Sequence, residues 1–90
     1  MEIPKILKVG GHSIKVLLVP KDEASEKDYC GETSYQEDII RIDSSLSQGW
    51  KESSLIHEIL HNLNTTMDHE FLDSLAEQLY QVLKDNNLLR

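Results

Sequence analysis

The chain predicts an α+β fold, a small twisted β-sheet packed on two helices. Three observations carry this. Residues 1–45 hold short β-branched runs punctuated by turn residues. Residues of about 50–63 contain no Gly or Pro, and Ile56, Ile59, Leu60 and Leu63 recur there at helical spacing. Residues of about 69–85 carry Leu72, Leu75, Ala76, Leu79, Val82 and Leu83 as one apolar stripe. With 90 residues, the chain (1–90) is expected to be a single domain with one modest core.

The elements follow in order. Residues 6–9 and 14–19 are apolar runs separated by Gly10-Gly11-His12-Ser13, a hairpin signal in which His12 is simplest as a turn residue. Pro20 ends the second run because it lacks a ladder donor. Residues 21–28 are charged and nearly free of large apolar groups, so a solvated surface loop is expected. Residues 29–35 form a third strand that Gly31 weakens. Ile39-Ile40-Arg41-Ile42-Asp43 is the strongest strand signal of the region. Residues 44–49 supply a turn and N-caps for the next helix, and Asp68 caps the last one, which Asp85-Asn86-Asn87 closes. The link 62–68 is short, so the two helices should pack together.

Composition excludes several classes. The formal charge of −7, with no basic cluster, argues against direct nucleic-acid binding. Cys30 is the single cysteine and cannot form an internal disulfide, which points to a reducing compartment. No signal-peptide core and no run of membrane-spanning length is visible, so a cytoplasmic protein without a membrane partner is expected.

Chemistry concentrates in His57-Glu58-Ile59-Leu60-His61, an H-E-x-x-H motif. Residues four apart on a helix lie one turn apart on one face, so both imidazoles can point at one ion. Glu58 projects about 100° around the helix from His57, within reach of a water on the ion but off the ligand axis. The apolar positions lie roughly 130° from the histidines, so the opposite flank is anchored in a core. Two histidines and a third protein ligand would leave one zinc position for water, and Glu58 would serve as general base. The bland alternative is an amphipathic helix with solvated histidines.

Candidates for the third ligand are His69, Glu70, Asp73 and Glu77. Glu70, Asp73 and Glu77 share a face that points largely away from the leucine stripe. Glu77 reads most simply as part of a solvated acidic face. Asp73 sits at the apolar rim, as a ligand or as an acceptor from a histidine N–H. Glu70 lies in the first turn with the longer reach, and ranks before Asp73 and His69.

The order of strand, turn, L-I-H-E-I-L-H helix, short link and E-F-L-D-S-L-A-E-Q-L-Y-Q-V-L-K-D-N resembles small zincin-like proteins of phages and mobile elements. These are similar in style to the ImmA/IrrE peptidases and to minigluzincins. The resemblance covers roughly residues 39–86, and only the H-E-x-x-H is highly specific. It implies a zincin-like minimal core, Zn²⁺ held by His57, His61 and a downstream glutamate best matched by Glu70, and Glu58 as base. The further helices and Pro-containing segment of the ImmA/IrrE type have no counterpart in this sequence.

The activity expected on this reading is zinc-dependent hydrolysis of a peptide bond in a peptide or protein substrate. The zinc would polarise the scissile carbonyl, Glu58 would carry the proton of the attacking water to the leaving amine, and an edge strand would align the substrate. The alternatives are a metal-binding interaction module with little turnover and a metal-free structural domain. Tyr29 and Tyr35 could donate to an oxyanion but read first as strand tyrosines. Cys30 could be an inhibitory ligand but reads first as a bystander. Trp50 shares the wheel direction of His57 and could wall a cleft, but reads first as a core anchor at the helix start.

Overall fold

A computed structural model describes residues 1–25 and 30–89. The fold is α+β. Its strands are β1 (Ile6–Val9), β2 (His12–Val19), β3 (Gly31–Ser34) and β4 (Ile39–Asp43), and its helices are α1 (Lys21–Ala24), α2 (Gln48–Leu63) and α3 (His69–Asp85). The sheet order is β1-β2-β4-β3. The β1–β2 and β3–β4 pairs are antiparallel, and β2–β4 is parallel. Strand β3 is therefore an edge, on the same side of the sheet as the motif helix it contacts.

The first hairpin closes tightly. Val9 pairs with His12, and Gly10 and Gly11 both have positive φ, as a two-residue type I′ turn requires. His12 thus opens β2 instead of sitting in the turn, and its ring faces the Asp38 carboxylate at 3.3 Å. Alternation along β2 and β4 turns Ile14, Val16, Ile40 and Ile42 to one face, where Leu55 of α2 completes a buried cluster. Leu17 lies on the opposite face and is exposed.

Two local expectations are corrected. Residues 21–24 are not an open loop. Glu23 and Ala24 donate their N–H groups to the Pro20 carbonyl at 2.9 and 3.1 Å, and the resulting turn buries Ala24 against β4. Residues 26–28 of that stretch lie outside the described residues. Gly31 does not weaken β3 but permits it, because a Cβ there would stand 2.7 Å from the Arg41 carbonyl oxygen.

The helices are capped as their sequences require. The Ser47 hydroxyl accepts from the Trp50 N–H, and the Asp68 carboxylate accepts from the Phe71 N–H. Helix α2 turns Leu55 and Ile59 toward the sheet and buries Ile56 as well, while Leu63 at its end is exposed. On α3 only Leu72 and Ala76 are buried; Leu75, Leu79 and Val82 are exposed. The expected stripe is therefore split. Among the described residues α3 packs chiefly on α2, and one helix can cover only part of so wide a face.

Glu52 ties these helices together from a fully buried position on α2. Its carboxylate accepts from Tyr80 Oη of α3 at 2.9 Å and from Gln48 Nε2 at 3.0 Å. The Met1 amino group lies at 3.2 Å and Lys84 Nζ at 3.8 Å. Burial pushes the carboxyl's pKa up, but the donors from Gln48, Tyr80 and the amino group outweigh it and hold the pKa below the usual range. Glu52→Ala would leave several donors unmatched at once. It is expected to cost about 2 kcal/mol in urea unfolding, and an unchanged midpoint would remove Glu52 from this role.

Candidate metal centre

The centre forms where the face of α2 opposite the sheet meets the start of α3. His57 and His61 lie one turn apart on α2, and His69 is the first residue of α3. One ligand nitrogen from each of His57, His61 and His69 can be chosen so that all lie within 4.8 Å of one another. The Nε2 atoms of His57 and His61 are 2.9 Å apart. The His69 ring centroid stands 4.9 Å from that of His57 and 5.4 Å from that of His61, nearly stacked on the latter.

The other nitrogen of His57 is spoken for. His57 Nδ1 lies 3.3 Å from Asp73 Oδ1, so the ring donates Nδ1–H to the carboxylate and turns the Nε2 lone pair toward His61. His69 and Asp73 are four residues apart on α3 and share a face, which is how one helix supplies both groups. Burial, then the neighbouring His61 and His69, lowers the His57 pKa from 6.5 to about 4, against the pull of Asp73. Burial and His69 also lower that of His61. Both rings are thus held neutral, the form that binds a metal.

The donor set fits a zinc ion. Zn–N bonds of about 2.0–2.1 Å in a tetrahedron place ligand nitrogens about 3.3 Å apart. The His57–His61 pair lies near that value, and a spread of up to 4.8 Å for the set is closed by small ring rotations. Glu70, ranked first from the sequence, is exposed and stands outside the group of three imidazoles. His69, ranked last, stands inside it.

Glu58 points to the sheet side of the centre. It is buried, and its Oε1 accepts from Thr33 Oγ1 of β3 at 2.7 Å. Asn62 Nδ2 donates to the Glu58 carbonyl at 2.8 Å and reaches Thr33 Oγ1 at 3.4 Å. Burial raises the Glu58 carboxyl from 4.5 to about 7; the Thr33 hydrogen bond opposes this and Glu32 adds to it. A carboxyl poised near 7 suits proton transfer at neutral pH. Neither Thr33 nor Asn62 was singled out from the sequence. A period-two strand pattern marks which residues share a face, but not which helical residue a hydroxyl will meet.

A cavity of about 330 Å³ opens beside these groups, lined among others by Cys30, Trp50, His57, Glu58, Asp73 and Glu77. Trp50 is exposed, so it walls the cleft instead of anchoring the core. Tyr35 Oη donates to the His61 carbonyl at 3.3 Å, at the margin of the centre. Burial, then Glu58, raises the Tyr35 pKa, so it remains a proton donor. Tyr29 lies outside the described residues. Among the described residues no helix is long and apolar enough to cross a membrane. Comparison with protein-family models, curated proteins and solved structures finds no match.

The two buried groups of the motif make opposite demands on pH in metal-free protein. Neutral Glu58 stabilises the fold below about 4.5, and this is lost as pH rises through its folded value of about 7. Neutral His57 stabilises the fold above 6.5, and this is lost as pH falls through about 4. Between 4.5 and 6.5 the two slopes oppose each other. Glu58→Gln removes one of them. With chelator present, its stability should climb with pH across that window by a few kcal/mol more than the parent's, and exceed the parent's at pH 8. Parallel urea midpoints at pH 5, 6.5 and 8 would refute this assignment.

Proposed function

We propose that the chain binds one zinc ion through His57, His61 and His69, and hydrolyses peptide bonds with Glu58 as general base. The carrying observation is the convergence of three imidazoles beside a buried carboxylate from the same H-E-x-x-H motif. Zinc, when bound, supplies Lewis-acid polarisation of a carbonyl and a water whose pKa falls toward 7. Asp73 orients His57 and raises its basicity as a ligand. Glu58 takes the proton of the attacking water and delivers it to the leaving amine. Thr33 holds the carboxylate in place while this happens. The free edge of β3 offers main-chain N–H and C=O groups that would hold an extended substrate beside Glu58.

A second reading has one observation in its favour. Glu58 is only 5% exposed and hydrogen-bonded to Thr33, as a structural carboxyl would be. On that reading the domain is a metal-binding interaction module with little turnover.

Elemental analysis and zinc titration test the ligand set. His57→Ala and His69→Ala should each lose metal steeply, and zinc removal should lower the Tm, because a ligand that binds only the folded state stabilises it. Asp73→Asn should weaken binding by about 10–100-fold, the usual cost of losing a partner behind a ligand. Glu70→Ala should titrate like the parent; if it alone abolished binding, the third ligand would return to Glu70.

Glu58→Gln separates the two readings. It keeps size and the acceptor for Thr33 but cannot take a proton. It should retain zinc while lowering peptidase turnover by at least about 10²-fold. A parent that binds zinc and cleaves no member of a diverse peptide library would leave the interaction module standing.

A further inference from the structure

The cleft does not end at the metal centre. A second cavity of about 360 Å³ lies along the crossing of α2 and α3, and it shares Trp50, Ser53 and Glu77 with the first. The two form one groove that runs from His57 and Glu58 past Trp50 and Glu77 to Tyr80. Among the described residues, no Lys or Arg lines either part. Two features of the shared stretch stand out. Trp50, the chain's single tryptophan, is 54% exposed there. Glu77 is exposed and, among the described residues, makes no hydrogen bond or ion pair. It stands one helical turn beyond Asp73 on the same face of α3.

We propose that this groove is a specificity site for a basic side chain, Arg before Lys, on a residue flanking the bond to be cleaved. The proposal rests on the hydrolase reading and adds its substrate class. An indole face attracts a cation through its quadrupole, and a planar guanidinium can stack on the ring while its N–H groups reach a carboxylate. Trp50 and Glu77 together offer both halves of that recognition. An aliphatic side chain would satisfy Trp50 but leave Glu77 uncompensated. An acidic one would meet Asp73, Glu77 and Glu58 with no Lys or Arg among the described lining residues. The net charge of −7 draws basic peptides toward the surface over a Debye length.

Because Trp50 is the single tryptophan, its fluorescence reports on this groove directly. Zinc-loaded Glu58→Gln protein is titrated with peptides that differ at one central position, Arg, Lys, Leu or Glu, in an otherwise Ala/Ser background. The Arg peptide should perturb Trp50 emission and bind about tenfold more tightly than the Leu peptide, with Lys between them and Glu weakest. Glu77→Gln should keep its zinc but bring Arg and Leu within about twofold. Equal affinities for Arg and Leu, an unchanged Arg preference in Glu77→Gln, or no binding of any peptide overturns the proposal. Hydrolysis by the parent is scored separately. Cleavage without Arg preference sinks this inference and spares the hydrolase reading. Arg-selective binding without cleavage by the parent does the reverse.

Discussion

Everything in this molecule depends on the packing of α2 between the sheet and α3. One flank of the helix packs Leu55 and the partly buried Ile59 on the Ile14–Val16–Ile40–Ile42 face, and that burial fixes its rotation. Fully burying such side chains is worth about 1.5–3 kcal/mol each, so a rotated α2 would forfeit most of the core. With the rotation fixed, the histidines have no choice of direction. They face α3, and Glu58, about 100° away, faces β3. A single helix thus distributes three chemical groups to two neighbouring elements because its apolar stripe leaves no other register.

The second support is polar. Glu52 gathers donors from α2, from α3 and from Met1, and so fastens the far end of α3. The near end is fastened by His57–Asp73. Besides these two clamps α3 contributes Leu72 and Ala76 to the buried interior. Its placement therefore rests on polar contacts at both ends as well as on apolar burial, and the candidate centre sits at the end held by its own residues. Crowding neutral imidazoles and a high-pKa carboxyl in a small domain costs stability, since each group would be better solvated outside. That arrangement is coherent for a site whose rings must stay deprotonated to meet a cation.

The sequence carried the elements well where period and punctuation agree. The Gly10-Gly11 hairpin, the β4 run and both long helices stood out because apolar spacing and turn or cap residues pointed to the same boundaries. It misread residues 21–24, where composition signals solvent exposure but a Pro20 carbonyl can still start a helical turn. It undervalued Gly31, because the need for a missing side chain arises from the Arg41 carbonyl across the sheet and is not local. In the candidate site, His57, Glu58 and His61 were legible from spacing alone. Thr33 and Asn62 were not, because each depends on where a neighbouring element comes to rest, and the cleft role of Trp50, visible in its wheel direction, ranked behind a core anchor for the same reason.

The third proposed ligand shows most clearly why. On α3, residues advance about 100° each, so His69 and Glu70 point to quite different sides. The mean direction of the whole leucine stripe, from Leu72 to Leu83, lies roughly 80° from His69 and nearly opposite Glu70, so the ranking of Glu70 rested on its reach and its place in the first turn. The structure buries only Leu72 and Ala76. Their mean direction lies about 40° from His69, 80° from Asp73 and 140° from Glu70. With that rotation His69 enters the cleft, Asp73 follows one turn later behind His57, and Glu70 turns to solvent. A rotation of α3 by one residue would exchange His69 for Glu70, but it would carry Asp73 and Glu77 onto the buried line of Leu72 and Ala76 and turn Leu75 and Leu79 further toward solvent. The choice between a three-histidine set and a glutamate-bearing one is thus a choice between two rotations of a helix. What decides it is the burial of Leu72 and Ala76, which goes with the one rotation of α3 at which Asp73 reaches His57.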